Sequence, residues 1–104
     1  MSKYLEWIDK KYPDAKTAKN RCQIAVREML ESFPELEIRV GFCNETFHCW
    51  LVNESTNTII DPTHRQFNPP LNYHVVANRF LDKDEVEPAT GAIFLKTAWD
   101  PARL

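Results

Sequence analysis

Three side chains in this sequence are of the types that together make an acyl-transfer centre: Cys22, His48 and Asp61. An ionised cysteine attacks carbonyl carbon readily, an imidazole can take and return the proton, and a carboxylate fixes which imidazole nitrogen faces the thiol. Cys22 is placed at the second position of a helix that Asn20 is expected to cap. There, unpaired backbone N–H groups and the positive end of the helix dipole favour a thiolate. Such a position, with a histidine beside it, can bring a thiol pKa from ~8.5 into the range of roughly 3.5–7.5, and two nearby N–H groups can serve as an oxyanion hole. His48 and Asp61 fall on consecutive strands. A four-residue connection over 53–56 pairs Val52 with Asn57 and therefore sets His48 directly opposite Asp61, within reach of an orienting hydrogen bond.

The elements that must position these residues follow from capping and periodicity. Ser2 caps a first helix in which Tyr4, Leu5, Ile8 and Tyr12 recur at helical spacing, and Pro13 stops it. A second helix should start near Asn20, because Asn20 followed three residues later by Gln23 resembles a capping box. Ile24, Ala25, Met29, Leu30 and Phe33 form its apolar stripe, and Pro34 ends it. Residues 36–42 alternate with period two, putting Leu36, Ile38, Val40 and Phe42 on one side and Glu37 and Arg39 on the other. Asn44 and Glu45 turn the chain into a strand over 46–52, and the polar run 53–57 turns it again into 58–61. Together these make a three-stranded antiparallel meander. Residues 62–70 read as a surface loop near the site, 73–81 as strand or helix, 82–87 as a polar turn and 92–99 as a final strand. The expected fold class is α+β, a single domain over 1–104 with N-terminal helices over 2–33 and an antiparallel sheet with loops over 36–104.

Other residues have functional and ordinary roles to weigh. Trp50 shares a sheet face with His48 and is expected either to wall the site or simply to fill the core. Asn20 and Gln66 carry amides that can donate to an oxyanion or line a substrate site, although capping competes for Asn20. Cys22 itself has the alternative of being a small buried helix residue, and Asp61 that of a turn residue before Pro62. His64, His74 and Cys49 match no metal-ligand spacing, so no metal and no cofactor is expected. Cys43 and Cys49 could approach across a hairpin, but a reducing compartment disfavours their oxidation.

Composition removes several function classes. At 104 residues the chain is one domain, with no room for a separate cofactor module. Thirteen basic and 15 acidic side chains give a net charge of −2 without a basic patch, so no nucleic-acid partner is expected. No apolar run approaches the ~18 residues of a membrane span, and the first residues lack the apolar core of a signal peptide. The expectation is therefore a cytoplasmic protein with no membrane association. Three cysteines without a C-x-x-C pair argue for reduced thiols. With only Gly41 and Gly91, a glycine-rich phosphate loop is excluded.

Asn20-Arg21-Cys22 opening a helix, then His48-Cys49-Trp50-Leu51-Val52, then Ile59-Ile60-Asp61-Pro62-Thr63, resembles the Cys, His-x-Trp, Asp-Pro-Thr order of transglutaminase-like cysteine enzymes in the papain-like superfamily. The resemblance covers roughly 15–67. It implies a nucleophile helix packed on a small antiparallel sheet, with Cys22 as nucleophile, His48 as base and Asp61 as orienting acid, acting on a peptide or protein amide through a thioester. The chain lacks the glycine often found beside the nucleophile and is much shorter than the metal-regulated animal enzymes. Hydrolase and acyltransferase are thus the expected activities. The competing expectation is a binding or inhibitor module that keeps the core without turnover, suggested by the small size.

Overall fold

The computed structural model describes residues 2–80. They form a small α+β unit with three helices and a four-stranded antiparallel sheet. The first helix, α1, covers Lys3–Lys11, and the Ser2 hydroxyl caps it by accepting from the Leu5 N–H at 3.1 Å. A short helix not expected from the sequence, α2, covers Ala15–Ala18, with Asp14 and Thr17 closing a capping box around it, and the expected second helix follows as the long helix α3 over Cys22–Ser32. Between them Asn20 adopts φ 60°, the left-handed region that asparagine tolerates better than most residues. Asn20 is therefore a turn residue and not the cap. The cap position falls to Arg21, which gives no side-chain hydrogen bond, and Cys22 becomes the first helical residue instead of the second. The buried stripe of α3 is correspondingly Cys22, Ala25, Val26 and Met29, a helical i, i+3, i+4, i+7 series, while Ile24 is exposed.

Strand β1 covers Glu37–Cys43, β2 Thr46–Asn53, β3 Thr58–Ile60 and β4 Tyr73–Ala77, in the sheet order β3-β2-β1-β4. The ambiguous 73–81 segment is thus a strand through Ala77. The expected turn over 82–87 and strand over 92–99 lie outside the described residues. Asn44 and Glu45 both have positive φ, the signature of the two-residue turn whose twist suits a tight hairpin. Alternation sorts the sheet into two faces. Val40, Phe42, Phe47, Cys49, Leu51 and Ile60 join Cys22, Val26 and Met29 in one apolar cluster, so this face carries α3. Across the ladder, Gly41 pairs with His48, Arg39 with Trp50 and Cys43 with both Thr46 and Tyr73, and these positions make the opposite face. Among the described residues no helix is long and apolar enough to cross a membrane.

The β2–β3 register differs from the one expected. Asn53 pairs with Thr58 and Leu51 with Ile60, because the loop occupies 54–57 and Asn57 turns with φ 52°. The ladder has slipped by two residues, which preserves every side-chain face. His48 and Asp61 are consequently diagonal neighbours and not a facing pair. A second result of this register matters more. Because β3 stops at Ile60, opposite Leu51, the β3-side edge of β2 around His48 and Cys49 is left without a strand.

Candidate active site

Cys22 opens α3, the helix packed against β2, and lies in one apolar cluster with Cys49, the residue that follows His48. The Cys22 thiol and the His48 and Cys49 side chains shift one another's ionisation, which puts the three groups within electrostatic reach.

His48 is buried and fixed from three sides. Its Nε2 lies 2.8 Å from Asp61 Oδ2. The Trp50 ring stacks on it with centroids 5.9 Å apart, and the Phe67 ring meets it edge-on at 4.9 Å. Its other nitrogen, Nδ1, is buried and makes no hydrogen bond of ordinary geometry. A buried unpaired nitrogen costs ~1–3 kcal/mol, so a fold that tolerates one calls for an explanation. With Nε2 assigned to Asp61, Nδ1 is the atom left for the Cys22 thiol, in the loose arrangement common for catalytic pairs without substrate.

The carboxylate of Asp61 is held as tightly as the imidazole. Oδ1 accepts from the Thr63 N–H at 3.0 Å and from its hydroxyl at 3.3 Å, and Oδ2 accepts from the Tyr73 hydroxyl at 2.8 Å as well as facing His48. Thr63 is part of the Asp-Pro-Thr turn read in the sequence, whereas Tyr73 has no sequence signal and arrives through the β1–β4 pairing. Gln66 was expected near an oxyanion. Its Nε2 instead donates to Thr63 Oγ1 at 3.0 Å, so Gln66 buttresses the residue that buttresses Asp61. Replacing Tyr73 with Phe removes a hydrogen bond to a buried charge and should lower stability by ~1.5–3 kcal/mol in urea unfolding. A change below ~0.5 kcal/mol would mean that Tyr73 does not hold Asp61.

Electrostatically the three groups separate into an ion pair and its anchor. A hydrogen bond from the Cys49 thiol, working against burial and assisted by His48, brings Cys22 down to about 5. The Cys49 thiol, as the donor of that bond and buried, rises well above the ordinary thiol range. Burial disfavours the His48 imidazolium, but Asp61 and then Cys22 outweigh it and hold His48 up at about 9. Burial likewise opposes the Asp61 charge, and His48, Tyr73 and Thr63 overcome it, so the carboxyl stays below its usual range. Burial and the nearby Asp61 push Cys43 up to about 12.

Asn20 does not cap α3, and it precedes Cys22 by two residues. With Lys19, Thr46, Gln66 and Phe67 it lines a cleft of about 440 Å³. Thr46 shares its strand face with His48, and Phe67 touches the imidazole, so this cleft adjoins the centre. Because Arg21 supplies no side-chain cap, the first-turn N–H groups of α3 are directed past Cys22 without a competing acceptor from the cap residue. No protein-family model, curated protein or solved structure matches this chain, so its chemistry is read from these residues themselves.

Proposed function

We propose that the chain is a cysteine-dependent hydrolase or acyltransferase for an amide or peptide carbonyl, built on a transglutaminase-like core of the papain-like kind. The observation that carries this reading is His48, 1% exposed, with Nε2 held on Asp61 at 2.8 Å and a buried Nδ1 that Asp61 does not occupy, together with a Cys22 thiol whose ionisation His48 favours. In this reading the Cys22 thiolate attacks the carbonyl carbon, and the first-turn N–H groups of α3 stabilise the oxyanion. His48 gives its Nδ1 proton to the leaving amine, the C–N bond breaks and a thioester remains. Neutral His48 then takes a proton from water or an incoming amine, which attacks the thioester and returns Cys22 as thiolate beside an imidazolium. The cleft beside Phe67 is of a size that accommodates small ligands and segments of larger ones.

The test is an acid-quenched intact-mass measurement on the chain incubated with glutaminyl, asparaginyl and C-terminally amidated peptides. An acyl adduct on Cys22 with release of ammonia or amine is expected. The proposal fails if no substrate acylates the chain and Cys22 reacts no faster than a free thiol.

A further inference from the structure

One oxygen of the buried acid carries two partners. Asp61 Oδ2 lies 2.8 Å from His48 Nε2 and accepts from the Tyr73 hydroxyl, also at 2.8 Å, while Oδ1 is occupied by Thr63. Tyr73 reaches this oxygen from the start of β4, where it pairs with Cys43 of β1, and its ring lies against Trp50 with centroids 4.9 Å apart. Trp50 in turn stacks on the imidazole, so the phenol is fixed by the same packing that fixes His48. A donor on a carboxylate oxygen draws off part of its negative charge, and here it draws from the atom that faces the imidazole.

We propose that Tyr73 is a positioning residue for the His48 base, whose hydroxyl, by sharing Asp61 Oδ2, limits how strongly the acid holds the imidazole in its charged form. The role rests on the acyl-transfer reading above, in which His48 must release its Nδ1 proton to a leaving amine. A carboxylate shut off from water, with its full charge turned on one imidazole, holds that proton tightly. The Tyr73 hydroxyl offsets part of this hold and leaves the tautomer unchanged, because Oδ2 still faces Nε2.

The sign of the effect separates this role from simple buttressing. If Tyr73 only kept Asp61 in place, its loss would slacken the hold of Asp61 on His48, and the imidazolium would be lost at lower pH. If it shares the charge of Oδ2, loss of its hydroxyl concentrates that charge on the imidazole, and His48 keeps its proton to higher pH. The other titratable groups around the pair come from every neighbouring element: Cys22 of α3, Cys43 of β1, Cys49 of β2 and His64 of the turn after Asp61. Cys22 is ionised above about 5 and Cys43 is neutral below about 12. Cys49 and the Tyr73 phenol stay protonated well above their usual ranges, and His64 falls below its own. From about pH 8 to the Cys43 limit, His48 is thus the member of this group whose charge changes.

The test follows His48 directly, by long-range proton–nitrogen spectra of the isotope-labelled full-length chain through a pH titration. The wild type should lose the imidazolium at about 9. Tyr73→Phe should lose it about half a unit or more higher, with the neutral ring still protonated at Nε2. Should the Phe variant fail to fold, a ring-fluorinated tyrosine at position 73 keeps the shape and is a stronger donor, so the imidazolium should be lost at lower pH than in the wild type. A His48 titration that is unmoved or falls in Tyr73→Phe, or that is unmoved or rises with the fluorinated ring, overturns the proposal. Amide turnover should carry its alkaline limb with the titration. A chain that turns over no amide yet moves His48 as stated loses the acyl-transfer reading and keeps the shared oxygen, whereas turnover with an unmoved titration does the reverse.

Discussion

Replacing His48 with Ala should abolish turnover at neutral pH, with a loss of ~10²–10⁴ in kcat/KM, and raise the Cys22 pKa part of the way, because the influence of Cys49 that lowers it most remains. In the wild type, Cys22 ionises as pH rises through about 5 and the His48 imidazolium is lost as pH rises through about 9. Activity should therefore be bell-shaped, with a plateau between these limbs. Alkylation by iodoacetamide should begin on the acid limb and be confined to Cys22, because burial and neighbouring groups hold Cys43 and Cys49 in their protonated forms. His48→Ala should move the onset of alkylation to higher pH. Asp61→Asn should act differently. Both oxygens of Asp61 already accept hydrogen bonds, one from Thr63 and the other from Tyr73 and His48, so an amide NH₂ at either position meets a donor. That variant should keep a reactive thiol but lose turnover by on the order of 10⁴ and stability by ~1–3 kcal/mol. Even labelling of all three cysteines, unaffected by His48→Ala, would remove the thiolate–imidazolium pair and leave a binding module.

Gly41→Ala should be among the most destabilising single substitutions in the described chain. An added Cβ would lie 1.9 Å from the His74 carbonyl oxygen and 3.0 Å from the Val75 Cα. Those are backbone atoms, so no rotamer change relieves the clash and β4 itself must move. Overpacking of this kind costs ~1–3 kcal/mol or more. The displacement also reaches the site, because Tyr73 at the start of β4 donates to Asp61 and Gly41 is paired with His48. Urea unfolding should show a lowered midpoint at unchanged slope, together with slower alkylation of Cys22. Val75→Ala on the same strand, at an exposed position, should change stability by no more than ~0.5 kcal/mol. A Gly41→Ala protein that unfolds like the wild type would show that β4 does not pack this closely on β1.

What the sequence made legible follows from how local the signals are. The Ser2 cap, the period-two alternation of 36–42 and the Asn44-Glu45 turn each rest on neighbours in the chain, and each is present in the fold. His48 and Asp61 are still brought together because a two-residue register slip keeps both on their face. The cap of α3 is where the local signal misleads: Asn20 and Gln23 have the spacing of a capping box, but Asn20 takes φ 60° as the turn residue between α2 and α3, and the cap position falls one residue later, on Arg21. Tyr73 and Cys49 acquire their places through long-range packing, one by strand pairing and the other by the docking of α3 on β2, and no spacing in the sequence encodes either.

That docking has a consequence for the life of the chain before it is folded. The base and its acid are 13 residues apart on neighbouring strands, whereas the nucleophile belongs to a separate helical segment joined to the sheet through the short connection after Ser32. The contacts of the β1–β2 and β2–β3 hairpins are local in the chain, whereas the site also needs α3 to seat on β2. Until it does, Cys22 has the chemistry of any free thiol and His48 has nothing to activate. The nascent or unfolding molecule is thus chemically latent, and reactivity itself certifies that the two halves have assembled.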